Sequence, residues 1–138
     1  MYDFEFIKPA TIAEAVAAMS GEGAQALGGG QTLLPTMKQR LAAPDLLVSL
    51  GGIAEMRGVC LSDAGEVCIG GATTHAEVAR EAAAHYPALA ALAGRIGDPA
   101  VRNRGTIGGS LANNDPSACY PAAVLGSGAD RHTPLDQF

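Results

Sequence analysis

Four clusters of glycine punctuate this chain, at Gly28-Gly29-Gly30, Gly51-Gly52, Gly70-Gly71 and Gly108-Gly109. They belong to 18 glycines in 138 residues, well above the usual frequency of roughly 7%. No collagen period and no Gly/Ser linker accompanies them. They therefore mark places where the backbone turns sharply or comes very close to something else. The rest of the composition narrows what can be built around them. A chain of 138 residues suits one domain and is too short for two sizeable cores. Ala supplies 27 residues, while Leu, Ile, Val and Phe together supply 29. The core is expected to be thin and Ala-rich.

Several function classes fall away. No apolar run approaches the ~18 residues of a membrane span. The segment Met1-Tyr2-Asp3-Phe4-Glu5 carries two acids and no basic stretch, unlike a secretory signal. Cys60, Cys68 and Cys119 are odd in number and lack any CxxC spacing, which fits reduced thiols in a cytoplasm and argues against both a disulfide framework and a metal site. A net charge of −5, two lysines and six aromatic residues leave little for a nucleic-acid surface.

The first third reads as β-α-β-(short α)-β. Phe4 to Ile7 alternates as a strand closed by Pro9. Thr11 and Glu14 have capping-box spacing ahead of Ile12, Ala15, Val16 and Met19, an apolar set at helical intervals. Ala24 to Leu27 predicts a second strand running into Gly28, Leu33 to Leu41 a short helix, and Asp45 to Leu50 a third strand. Beyond Gly51-Gly52, Val59–Leu61 and Glu66–Ile69 flank the turn sequence Ser62-Asp63-Ala64-Gly65 and predict a hairpin. Helices follow at about 76–84, with Thr74 and Glu77 as a second capping box, and at about 87–95, with Pro87 first. From Ile96 to Pro116 the chain is polar, Gly-rich and free of helical period, which predicts a long irregular and functional segment. Tyr120 to Leu125 starts another helix or core segment, and 126–138 is unpatterned, as if the chain stopped while a fold was still being built.

Two segments share a design, Gly28-Gly29-Gly30-Gln31-Thr32 and Gly105-Thr106-Ile107-Gly108-Gly109-Ser110. Without Cβ atoms in the way, successive backbone N–H groups can face one anion, with the Thr and Ser hydroxyls as further donors. Paired glycines also make ordinary turns, and both readings stand at this level. A dinucleotide fingerprint begun at Gly28 would need glycine where Leu33 stands, and no phosphate-binding GxxxxGK[ST] occurs. Any nucleotide site is therefore of another design. Arg102 and Arg104 either neutralise phosphate or pair with Asp98 and Glu77. No constellation of catalytic acid, base or nucleophile stands out, as expected where a cofactor performs the chemistry.

Three motifs in order carry a resemblance: Leu27-Gly28-Gly29-Gly30-Gln31-Thr32-Leu33-Leu34-Pro35, Gly70-Gly71-Ala72-Thr73-Thr74-His75, and Val101 to Asn113. From Phe4 to about Gly126 the chain resembles the FAD-binding medium subunit of molybdenum hydroxylases, of the aerobic carbon monoxide dehydrogenase or xanthine dehydrogenase type. The resemblance implies an α+β FAD-binding fold of the vanillyl-alcohol-oxidase (PCMH) type. Its first subdomain, residues 1–52, is complete, and its second, residues 53–138, is partial, because the family is roughly twice as long. It further implies FAD as cofactor, with the pyrophosphate held by Gly28, Gly29, Gly30, Gln31, Thr32 and Leu33 and by Thr106, Ile107, Gly108, Gly109 and Ser110. Asp115 of the Asp115-Pro116 pair is also matched to the cofactor. A further family acid, just before Tyr-Pro, aligns with Cys119. Some flavoproteins of this fold attach FAD through a histidine, but His75, just after Thr74 at a helix start, is read as first-turn packing with no covalent role.

The implied function is an oxidoreductase subunit in the cytoplasm. It passes electrons from iron–sulfur centres through FAD to a terminal acceptor, beside a molybdenum-containing large subunit and an iron–sulfur small subunit. The contrasting reading is a truncated remnant that binds no cofactor and serves as an interaction piece. In the first reading Gly70-Gly71 ends a strand beside the site, and Gly51-Gly52 joins the subdomains.

Overall fold

A computed structural model describes residues 1–130. The first part of the predicted irregular tail, from Gly126, falls within these residues, and 131–138 lie outside them. The chain opens with β1 (Glu5–Ile7), α1 (Ile12–Met19), β2 (Ala24–Leu27), α2 (Leu33–Lys38) and β3 (Leu46–Ser49). The strands form a parallel sheet in the order β1-β3-β2, with Phe6 opposite Leu47 and Ala26 opposite Val48. Two crossovers are needed for such a sheet, and α1 and α2 supply them. α1 forms where the spacing places it: the Thr11 hydroxyl accepts from the Glu14 N–H at 3.2 Å, and the Glu14 carboxylate accepts from the Ala10 N–H at 2.8 Å. Its apolar stripe buries Ala15 beside Val48 and Ile53, with Ile12, Ala18, Met19 and Met56 around them. β1 stays exposed along its length, including Phe6 and Ile7.

A turn at Gly51-Gly52 and a short 3-10 turn at Ala54–Met56 lead into a hairpin of β4 (Val59–Leu61) and β5 (Val67–Ile69). Then come α3 (His75–Glu81), α4 (Pro87–Ala93), α5 (Pro99–Arg102), α6 (Ile107–Asn113) and α7 (Cys119–Ser127). These elements enclose a second core of Val78, Ala82, Leu89, Ala90, Ala93, Ile107 and Tyr120, on which Val59 and Ile69 of the hairpin also pack. α3 starts on a full capping box between Thr74 and Glu77, an arrangement that satisfies two otherwise orphaned N–H groups.

The segment 96–116 corrects the sequence reading, because it contains two helices in place of one irregular loop. Both are too short to show a period, and their signals are caps. The Asp98 carboxylate accepts from the Val101 N–H at 2.9 Å with Pro99 in the first position of α5. The Thr106 hydroxyl accepts from the Gly109 N–H at 3.1 Å and starts α6, which ends at Asn114 in a left-handed conformation, φ 48°. Gly108 and Gly109 sit inside α6, where glycine weakens a helix by roughly 1 kcal/mol relative to alanine.

Candidate functional site

The two glycine segments meet. A Cβ on Gly29 would stand 2.0 Å from the Arg104 carbonyl oxygen and 2.5 Å from the Gly105 Cα, far inside van der Waals contact. A Cβ on Gly28 would stand 2.8 Å from the Thr106 hydroxyl, and so would one on Gly109. The Thr106 hydroxyl therefore lies between the two segments, and only glycine allows the main chains to approach this closely.

In the first segment the backbone donors are free. Among the described residues, no acceptor is bonded to the N–H of Gly28, Gly29, Gly30, Gln31, Thr32 or Leu33; the first bond resumes with Leu34 N–H to Gly30 O at 3.2 Å. The cause is topological. β2 lies at the sheet edge, and Leu27 uses its carbonyl to accept from Leu50 N–H at 2.9 Å, so the alternation of the ladder turns Gly28 away from β3. The chain then turns through Gly30 at φ +72° into α2, whose N-cap, Thr32, leaves its own hydroxyl unbonded to the helix. The Gln31 amide folds back on the Gly29 carbonyl at 3.3 Å. Six consecutive donors without an acceptor, on half-buried glycines and the residues after them, form a surface that an anionic group satisfies.

The second segment is built differently, with its donors largely occupied. Ile107 N–H donates to Thr73 O at 3.1 Å, Gly108 N–H to Gly71 O at 2.9 Å, and Ser110 N–H to Thr106 O at 3.0 Å. Ile107 is buried in the second core. The Thr106 hydroxyl is engaged as the α6 cap, while Gly109 is exposed and the half-buried Ser110 hydroxyl has no partner among the described residues. Gly108 has a packing role, since a Cβ there would stand 2.5 Å from the Gly71 carbonyl oxygen. This pairing of Gly71 with Gly108 escaped the sequence reading; the signal available was two glycine pairs, each next to a Thr cap.

Asp115 is exposed and follows α6, where its carboxylate accepts from the Ser117 N–H at 2.8 Å. Cys119 is exposed at the start of α7. Neither expected pairing of Arg102 forms. It donates to the carbonyls of Ile96 and Gly97, at 3.2 and 2.7 Å, while Glu77 pairs with Arg57 and Asp98 caps α5. Arg104 is exposed and makes no ion pair among the described residues.

His75 occupies the first turn of α3, as the sequence suggests, and donates its N–H to Gly105 O at 2.9 Å. Its ring is buried against Tyr120, centroids 5.4 Å apart, and neither its Nδ1 nor the Tyr120 hydroxyl has a hydrogen-bond partner among the described residues. Burial lowers the pKa of His75 and raises that of Tyr120, with the neighbouring Cys119 adding to the latter, so both are held neutral. A hollow of about 260 Å³ beside Gly23 and Pro44 is lined in part by Leu33 of the first segment, and one of about 330 Å³ lies at the hairpin; neither is lined by the glycines of the two segments.

Comparison with known proteins agrees with this architecture. Residues 2–133 match the family described as the FAD binding domain in molybdopterin dehydrogenase. The chain is 41% identical over 130 residues to the carbon monoxide dehydrogenase medium chain of Afipia carboxidovorans, covering 91% of this chain and 45% of that one. It is 31% identical over 140 residues to the xanthine dehydrogenase FAD-binding subunit of Escherichia coli O157:H7, covering 97% and 48%. Its fold matches that of carbon monoxide dehydrogenase from Hydrogenophaga pseudoflava with a TM-score of 0.84 at 40% identity, over 88% of this chain and 44% of that chain. The chain spans about half the length of the curated relatives it matches. It belongs to the FAD-binding domain family of molybdopterin dehydrogenases, and its α+β architecture is the FAD-binding fold of that family.

Proposed function

We propose that this chain holds FAD by its pyrophosphate and serves as the flavin-binding part of a molybdenum hydroxylase. The observation that carries the reading is the run of six backbone N–H groups from Gly28 to Leu33 without an acceptor among the described residues. A pyrophosphate has the charge and the several acceptor oxygens that such a run requires. Gly28, Gly29, Gly30, Gln31, Thr32 and Leu33 would supply the main-chain donors. Thr106, Ile107, Gly108, Gly109 and Ser110 would form the opposing wall, with the Ser110 hydroxyl as its available donor, and Asp115 would accept from cofactor hydroxyls. When bound, FAD supplies one- and two-electron redox chemistry, linking iron–sulfur centres to a terminal acceptor. The protein's task is to orient the cofactor and balance its charge, which is why no catalytic acid or base is needed among these residues.

The partners in this reading are a molybdenum-containing large subunit and an iron–sulfur small subunit, and the compartment is the cytoplasm. Among the described residues no helix is long and apolar enough to cross a membrane. The reading divides the chain into a first subdomain, 1–52, and a partial second, 53–138; two separate apolar cores support a division in this region, with Ile53 and Met56 still packed on the first core. A second reading, a remnant that binds no cofactor, draws on the occupied donors of the second segment.

Titration of the purified 138-residue chain with FAD, followed by flavin fluorescence and by thermal unfolding, separates the two readings. FAD binding is expected to raise Tm in proportion to the logarithm of ligand excess, and Gly29→Ala is expected to abolish the shift. A chain that unfolds at the same temperature with and without saturating FAD overturns FAD binding and leaves the remnant reading.

A further inference from the structure

On the hairpin, away from the glycine segments, two cysteines face each other. Cys60 of β4 and Cys68 of β5 are direct partners in the antiparallel register, and both are exposed free thiols. Direct partners project to the same face of the sheet, so the two thiols are cross-strand neighbours although seven residues separate them. Both also line the 330 Å³ hollow, together with Glu55 and Arg57. The flanking ladder bonds, Ser62 N–H to Glu66 O at 2.9 Å and Gly70 N–H to Gly58 O at 3.0 Å, fix the type of pair. Counting by twos along each strand makes Cys60 and Cys68 a hydrogen-bonded pair, with Cα atoms typically about 5.5 Å apart. That separation lies inside the range that a disulfide spans, while the Cβ atoms of such a pair begin roughly 1 Å farther apart than a relaxed disulfide places them.

We propose that Cys60 and Cys68 form a reversible dithiol–disulfide pair that reacts with low-molecular-weight disulfides. One thiolate attacks the oxidant's S–S bond, forming a mixed disulfide and expelling one small thiolate. The second cysteine's thiolate then attacks the protein sulfur of that mixed disulfide, forming the cross-strand S–S bond and expelling the other small thiolate. The protein loses two electrons and two thiol protons, and the oxidant is reduced to two thiols that take up those protons. The register makes the second step intramolecular, so mixed disulfides at this site are short-lived. Drawing the Cβ atoms together across a hydrogen-bonded pair stores strain, and the exposed bond is readily reduced again. Cys119 stands on α7 and has no cysteine partner in the hairpin.

The test uses oxidised glutathione as oxidant on the 138-residue chain, with acid quenching, alkylation and mass spectrometry after cleavage at Asp63 and Glu66, which lie between the two cysteines. The expected product has lost about 2 Da and carries one linked peptide pair, Cys60 to Cys68, without glutathione. Dithiothreitol restores both thiols. Cys60→Ser and Cys68→Ser each trap glutathione stably on the remaining hairpin cysteine, which the wild-type chain does not do. Stable glutathione adducts at Cys60 or Cys68 in the wild-type chain, linkage of either to Cys119, or no reaction at the hairpin each overturns the proposal.

Discussion

The two glycine-rich segments look alike as sequence and have different donor inventories. From Gly28 to Leu33 six N–H groups have no acceptor among the described residues, whereas Ile107, Gly108, Gly109 and Ser110 all spend theirs inside the chain. The first follows an edge strand whose ladder has run out, and the second opens a helix and pairs with the Gly71-to-His75 strand-like stretch through the bridge of Thr74 to Thr106. Glycine lets one main chain lie against another in both places, Gly29 against Arg104 and Gly108 against Gly71. Only the first segment also leaves a run of donors without an acceptor among the described residues.

The largest effects should come from adding a single methyl group. Gly29→Ala and Gly108→Ala both drive a Cβ into a backbone carbonyl and should each destabilise the fold by about 2–3 kcal/mol in denaturant unfolding. Gly51→Ala, where a Cβ meets nothing within 4 Å, should stay within about 0.5 kcal/mol. Equal tolerance of all three would erase the close approach on which the comparison rests. Amide hydrogen exchange divides the segments next: saturating FAD should slow exchange at Gly28 to Leu33 by about tenfold or more, equivalent to roughly 1.4 kcal/mol. The amides of Ile107 to Ser110, already bonded, should change far less. Protection confined to the second segment would reverse the assignment of donors.

Thr106→Ala removes the cap of α6 and should cost about 1 kcal/mol, with Thr106→Ser recovering most of it; a neutral alanine variant would show that the hydroxyl does not hold the helix start. The smallest effect concerns pH. Burial lowers the pKa of His75 in the folded chain below its ordinary 6.5, so below that pH the unfolded chain takes up a proton that the folded chain refuses. Stability should be full above about pH 6.5 and decline as pH falls through the window beneath it. His75→Asn should flatten that decline in urea unfolding measured across the window.

Much of the architecture was legible because it is written locally. The Thr11–Glu14 and Thr74–Glu77 boxes, Pro87 at a helix start and the Ser62-Asp63-Ala64-Gly65 turn each act within four residues, and each element forms where they place it. The segment 96–116 was misread because α5 and α6 span four and seven residues, too few for a hydrophobic period to declare itself. Glycine inside α6 also contradicts helix propensity and makes sense only beside Gly71. Of the two readings open for Arg102 and Arg104, the pairing with Glu77 and Asp98 does not form: the partner of Glu77 is Arg57, twenty residues upstream, and Asp98 caps α5, contacts that sequence spacing does not report. As for the site, the sequence marked the glycine segments and Thr106. Which N–H groups would remain free depended on the strand order, with β2 at the edge, and that is a tertiary fact.

The joint between the first sheet and the helical second half runs through Gly28 and Gly29 on one side and Arg104, Gly105 and Thr106 on the other. Where Gly29 meets Arg104 and Gly105 the contact is main chain on main chain, and it has no adjustable part. Ordinary interfaces can drift by exchanging larger and smaller side chains, each step compensated by a neighbour. Here the smallest available step is a whole methyl group against a carbonyl, so the spacing of the two halves, and with it the width of any groove between them, is quantised by the backbone itself.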